Sequence, residues 1–89
     1  MAIDWNLAGW VIRSKNRPQI LSLLTIPQTP AQISKKLKIS LTHASKTIRE
    51  LDSKKLIICL NNKSKLGRIY KITQQGEEIL EHIKKVENS

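Results

Sequence analysis

The chain has 89 residues, of which 39% are hydrophobic, and this is enough for one small folded core. It carries 16 Lys and Arg against 7 Asp and Glu, and the formal net charge of +9 favours nucleic acid as a partner over an anionic membrane surface. One cysteine excludes an internal disulfide, and the absence of Phe disfavours RNA recognition by stacking aromatics on a sheet. We find no membrane-spanning apolar run and no signal-peptide pattern, so we expect a cytoplasmic protein.

The charge is unevenly distributed along the chain. Residues 13–71 hold fourteen basic side chains against Glu50 and Asp52, whereas residues 1–12 and 72–89 are slightly acidic. The middle of the chain is therefore predicted to face a polyanion, and the two ends are predicted to serve another purpose.

The first third of the chain predicts two helices. Asp4 can cap a helix that ends at Ile12. Pro18 suits the first turn of a second helix, because the amide hydrogen that proline lacks would be unpaired there. Pro27 then ends this helix.

Residues 29–51 predict a helix-turn-helix. Thr29 followed by Pro30 is typical of a helix start, residues 38–39 form a tight turn, and Ser40 caps a second, longer helix. Apolar residues recur along this second helix with a helical period, at Leu41, Ala44, Ile48 and Leu51.

The opposite side of this second helix is polar and basic. Lys and Arg can donate to guanine, and Ser and Thr can contact base edges or phosphate, although such a face can also be merely solvated. We predict DNA contacts from Ser40, Thr42, His43, Ser45, Lys46 and Arg49. Arg49 lies nearly two turns beyond Thr42, which favours phosphate as its partner.

A β-hairpin is predicted to follow. Residues 56–60 and 68–72 have strand patterns, and turn-forming residues separate them. The hairpin forms a wing at residues 61–68, with a basic tip that can contact DNA or be a solvated turn. We predict DNA contacts from Lys63, Lys65 and Arg68.

Thr73 is predicted to cap a last helix. The segment 13–72 already supplies a core, so apolar residues of the first and last helices are candidates for a dimer interface, with an intramolecular core as the alternative. The candidates are Trp5, Leu7, Trp10, Ile79, Leu80, Ile83 and Val86.

Three segments, residues 13–21, 29–51 and 65–76, resemble winged helix-turn-helix transcriptional regulators of the ArsR and MarR type, above all small archaeal members. The third contains Gly-Arg-Ile-Tyr and then Thr-x-x-Gly at the start of a helix. The resemblance implies an α+β, mainly α fold over 1–89, with an N-terminal helix (1–12), a winged-helix core (13–72) and a C-terminal helix (73–89). It also implies that the helix from Ser40 enters the major groove, that the wing touches backbone or minor groove, and that terminal helices join a homodimer.

Two departures from this family are visible. Lys38 stands in the turn where the family usually has glycine, and a left-handed Lys is strained by roughly 1–2 kcal/mol, so the turn either differs slightly or keeps Lys38 for phosphate. Metal-sensing members cluster cysteine and histidine, but Cys59, His43 and His82 are not spaced as metal ligands, so we predict no metal and no other cofactor.

We expect Cys59 to be an inert strand residue and not a redox sensor. No small-molecule effector is evident, and we expect no separate effector domain in 89 residues.

Three functions remain open. The favoured one is a sequence-specific, dimeric transcriptional regulator that binds double-stranded DNA. The alternatives are an architectural or chromatin protein that binds DNA through charge alone, and a winged-helix module for RNA or protein interaction. We do not expect an enzyme, because we find no glycine-rich phosphate loop, no nucleophile beside a base and no metal cluster.

Overall fold

The computed structural model describes residues 4–61 and 67–87, and within them the chain forms five helices and a two-stranded antiparallel sheet. The elements are α1 (Trp5–Ile12), α2 (Asn16–Leu23), α3 (Pro30–Leu37), α4 (Leu41–Ser53), β1 (Ile57–Cys59), β2 (Tyr70–Ile72) and α5 (Gln74–Glu87). The α+β, mainly α fold class is confirmed, as are the hairpin wing and the additional helices at both ends. None of the described helices is long and apolar enough to cross a bilayer.

The helix starts follow from local side-chain chemistry. Thr29 and Gln32 form a reciprocal capping box at the start of α3, with Pro30 at its first position. Single side-chain caps begin three other helices: Asp4 for α1, Ser40 for α4 and Thr73 for α5. Each such cap stabilises its helix by about 1 kcal/mol.

The turn between α3 and α4 is left-handed at Lys38, with φ 57° and ψ 42°. Ser34 holds both sides of the turn: its carbonyl accepts from Ile39 N at 3.1 Å, and its hydroxyl donates to Ile39 O at 2.6 Å. The turn therefore has the geometry that glycine normally supplies, and Lys38 bears the strain.

The core extends further than residues 13–72. Ile20 and Leu21 are adjacent on α2 and both fully buried, so α2 is covered on two sides, and it contacts α4, α1 and α5. Because the terminal helices supply part of that cover, their own apolar residues belong to the same core. These residues are Leu7, Ala8, Val11, Ile79, Leu80 and Ile83.

The hairpin is joined to the helix-turn-helix by a third backbone segment. In the hairpin, Cys59 lies opposite Tyr70. Gln28 then bridges Tyr70 from the other side, through Gln28 N to Tyr70 O at 3.1 Å and Tyr70 N to Gln28 O at 2.8 Å. The buried Gln28 side chain donates to Leu23 O at 2.5 Å and accepts from Lys36 Nζ. These bonds fix the base of the wing relative to α2 and α3.

Gly76 allows α5 to pack directly against the hairpin. A Cβ atom at this position would lie 2.2 Å from Leu56 O and 2.7 Å from Ile72 Cγ1, too close for any other residue. The glycine in the Thr-x-x-Gly pattern is therefore required by close packing and not by a turn.

Candidate nucleic-acid interface

The outer face of α4 presents the polar side chains that the sequence predicts. Thr42, His43, Lys46 and Arg49 are exposed and Ser45 is half-buried, whereas Ala44, Thr47, Ile48 and Leu51 are buried on the opposite side. Ser40 is also exposed, but its hydroxyl already accepts from His43 N at 3.0 Å as the helix cap.

A groove of about 520 Å³ runs between α4, the start of α3 and the base of the wing. Arg49 lines it from α4 and Arg68 from the wing, so the groove has a guanidinium-bearing residue on each side. Ser45 also lines it, which places three of the predicted DNA-binding residues together. Two flanking cations suit a groove to the phosphate backbone of one strand.

A second depression, of about 430 Å³, lies along α4 and shares Arg49 with the groove. Its lining residues are Thr42, Lys46, Arg49, Glu50 and Ser53. Arg49 therefore stands between two concave surfaces.

Leu41 differs from the prediction that placed it on the buried stripe. It is the first residue of α4 and is 52% exposed, and the first buried residue of the helix is Ala44. It lines the groove beside the polar residues instead. An exposed leucine at this place can make apolar contact with a thymine methyl group.

The base of the wing is closed by Asn61. Its Nδ2 donates to Gly67 O at 3.2 Å, and its Oδ1 accepts from Ile69 N at 2.6 Å. Gly67 has φ +64°, the left-handed region that glycine adopts without strain. Arg68 follows directly and is exposed, whereas Lys63 and Lys65 lie outside the described residues.

The terminal helices carry less free apolar surface than the sequence suggests. Leu7, Ile79, Leu80 and Ile83 are buried in the core of their own chain, because α1 and α5 pack on each other and on α2. Of the candidate interface residues, Trp5 and Val86 are the ones with large exposed surfaces. The Trp5 ring meets His82 edge-on, with centroids 4.6 Å apart.

The outer side of α1 nevertheless has an exposed stripe. Trp5 is 70% exposed and Ile12 is 57% exposed, and their spacing of seven residues puts both on one side of the helix. Gly9 lies between them, where an added Cβ would meet no atom within 4 Å. We call Trp5, Gly9 and Ile12 the α1 stripe.

Trp10, another predicted interface residue, is half-buried inside its own chain. The Arg17 guanidinium carbon lies 3.8 Å from the Trp10 ring centroid. Sequence analysis gave Arg17 no role. The available signal was an arginine in the first turn of a helix, where a positive charge is unfavourable.

The described residues hold no group of three or more His, Cys, Asp or Glu side chains that could bind a metal ion. Cys59 is half-buried, with its Sγ 3.6 Å from Asn61 Oδ1.

The fold and this surface define a winged helix-turn-helix protein. Residues 17–89 match the family model of the winged helix-turn-helix, and the chain belongs to that family.

Several solved structures share the fold. A MarR family transcription regulator matches with a TM-score of 0.74 and 24% identity, over 92% of this chain and 61% of that one. The C30AH42A mutant of ZitR from Lactococcus lactis matches with a TM-score of 0.70 and 23% identity, over 81% of this chain and 51% of that one. Wild-type ZitR in complex with DNA matches with a TM-score of 0.66 and 26% identity, over 72% and 45%. The chain thus spans about half the length of the ZitR chains, and a search of curated proteins finds no match.

Proposed function

We propose that the chain is a transcriptional regulator that binds specific double-stranded DNA sequences as a homodimer. The observation that carries the proposal is the exposed polar face of α4 beside a groove flanked by Arg49 and Arg68. The likeness to ZitR, whose structure includes a complex with DNA, supports the same function.

In this proposal α4 enters the major groove, which is wide enough for an α-helix. Lys46 lies near the middle of the exposed face and donates to base edges, while Thr42 and His43 lie one turn earlier. Arg49 and Arg68 hold the phosphate backbone from two sides of the groove. Ser40 and Ser45 contact phosphate or base edges, and Lys63 and Lys65 add backbone or minor-groove contacts from the wing.

The α1 stripe supports the homodimer. Two copies of α1 that cross antiparallel at Gly9 bring Trp5 of one protomer against the partner's Ile12. Val86 extends this apolar surface onto α5.

Two-fold symmetry also fits the DNA. Two copies of α4 can contact half-sites about one helical turn, roughly 34–36 Å, apart on one side of the duplex. We propose that the protein therefore prefers a palindrome.

An architectural protein that binds DNA without sequence preference is the second candidate, and the net charge of +9 favours it. Selection of bound sequences from a random duplex pool separates the two functions. Enrichment of a palindrome is expected for the dimeric regulator. Binding without enrichment supports the architectural protein, and a preference for RNA in competition supports an RNA-binding module.

A further inference from the structure

Arg17 is a nearly buried cation that the proposed DNA contacts do not use. It is the second residue of α2, and its side chain is only 15% exposed. A positive charge at a helix N-terminus is unfavourable towards the helix dipole, and a buried charge is costly unless it is paired. Arginine therefore does not benefit α2 itself, and its role lies in what it contacts on neighbouring helices.

Arg17 holds the end of α1 in two ways. Its Nη1 donates to the Trp10 carbonyl at 2.6 Å, and this carbonyl is among the last four of α1, which lack partners inside the helix. Its guanidinium carbon lies 3.8 Å from the Trp10 ring centroid, within cation–π range. Lys54, directly after α4, approaches the same ring at 5.4 Å. Trp10 is therefore a meeting point of α1, α2 and the end of α4.

The same guanidinium reaches α4. Its Nη2 lies 3.6 Å from Glu50 Oε2. The preceding residue, Asn16, donates from Nδ2 to His43 Nε2 at 3.2 Å. His43 and Glu50 are seven residues apart, about two helical turns, so the start of α2 contacts one stripe of α4 at two points.

That stripe borders the side of α4 that faces DNA in our proposal. Glu50 lines the same depression as Lys46 and Arg49. A rotation of α4 about its axis breaks both contacts with α2 and turns these two cations away from their present positions. The buried face of α4 sets which of its side chains face outward, and the contacts of Arg17 and Asn16 hold the helix in that orientation.

We propose that Arg17 is a positioning residue, which fixes the orientation of α4 relative to α1 and so raises DNA affinity without touching DNA. This inference rests on the function proposed above. The pair of Arg17 with Glu50 is its central element, because it joins the helix of the dimer stripe to the helix of the DNA contacts.

Glu50→Gln gives the sharpest test, because charge and positioning predict opposite results. Removal of a negative charge beside Lys46 and Arg49 strengthens DNA binding if charge alone matters. If Glu50 positions α4, the variant binds duplex DNA more weakly, by about five- to ten-fold. Arg17→Lys is expected to weaken binding to a similar extent, because lysine keeps the charge but lacks the planar fork.

The controls use the same substitutions on exposed residues elsewhere. Arg13→Lys and Glu81→Gln are expected to leave the affinity unchanged. The double variant of Arg17→Lys with Glu50→Gln is expected to bind DNA as weakly as each single variant, because both substitutions remove the same interaction between Arg17 and Glu50. Affinity is measured by fluorescence anisotropy on duplex DNA, at a temperature well below the melting temperature of every variant.

Four results would overturn the proposal. Tighter DNA binding by Glu50→Gln would mean that Glu50 acts only through its negative charge. Unchanged DNA affinity of Arg17→Lys, with a lowered melting temperature, would mean that Arg17 contributes to stability alone. A further variant, Arg17→Gln, removes the charge altogether; if it lowers the slope of log affinity against log salt concentration by about one unit, Arg17 is a phosphate contact. Failure of the wild-type protein to bind duplex DNA overturns the proposed function itself. This result differs from a failure of the Arg17 proposal because it is seen with the wild-type protein alone, before any variant is compared.

Discussion

The outer faces of α4 and α1 are both exposed, yet their chemistry is opposite. Apart from Leu41, the exposed residues that flank the concave surfaces of α4 are polar or basic, whereas the α1 stripe offers Trp5 and Ile12 with a glycine between them. Charged groups remain hydrated on a surface that meets a polyanion, while exposed apolar groups gain most from a partner that removes water from them. In the proposed function, this contrast separates the surface for DNA from the surface for the second protomer.

Salt is the strongest way to probe the α4 side of this contrast. If a dimer contacts roughly 6–10 phosphates, raising salt from about 50 to about 200 mM should lower its DNA affinity by about 10³–10⁵-fold. The dissociation constant of a dimer held by an apolar stripe should change far less over the same range of salt concentration. Affinity and sedimentation measured across one salt series check both expectations, and a flat affinity would remove the electrostatic argument.

Disruption of the α1 stripe should cost DNA affinity with little cost in folding. Trp5→Ala combined with Ile12→Asp is expected to give a 10.2 kDa monomer. Because each dimer gains from two half-sites bound together, palindrome affinity should fall by about 10²–10⁴-fold. Sedimentation gives the mass, circular dichroism checks the fold, and Ile26→Asp, at another exposed isoleucine, is the matched control. A wild-type protein that sediments as a monomer would contradict the interface.

Lys46→Ala tests direct contact with bases. If Lys46 donates to a guanine, the variant loses about 1–3 kcal/mol of discrimination at one position in each half-site. Lys85→Ala, on the exposed side of α5, should change nothing. Binding to a set of single-base variants of the selected palindrome measures the effect.

Wing substitutions should behave differently from Lys46→Ala. Lys63→Ala and Lys65→Ala are expected to weaken binding to all DNA sequences alike. They should also lower the slope of log affinity against log salt concentration by about one unit for each lost phosphate contact. A changed base preference in the wing variants, with none in Lys46→Ala, would reverse the two assignments.

Lys38→Gly should have the smallest effect. Glycine adopts the left-handed turn without strain, so the free energy of unfolding should rise by about 1 kcal/mol. Lys35→Gly, inside α3, should lower it by a similar amount. Chemical denaturation measures both, and destabilisation by Lys38→Gly would show that the turn is not strained.

Local rules made most of the secondary structure predictable. Thr29 and Ser40 cap their helices through atoms only three residues away, so a short stretch of sequence contains the whole interaction. The same holds for the polar residues of α4, whose placement follows from helical spacing.

Long-range packing was less accessible. Nothing near Gln28 in the sequence reveals that it pairs with Tyr70, and the contacts of Arg17 join three helices. The burial of Ile83 required knowing that α2 is covered on two sides. Periodicity identifies an apolar face but does not say whether the same chain or a second copy covers it.

Gly76 has a mechanical consequence. With no side chain at position 76, α5 lies directly against the Leu56 carbonyl, which also accepts from Thr73 N at 3.0 Å. The hairpin base and the start of α5 are therefore in direct contact through backbone atoms. A side chain of any size at position 76 would push the start of α5 away from Leu56 and so disturb the base of the wing, although Gly76 itself makes no proposed DNA contact.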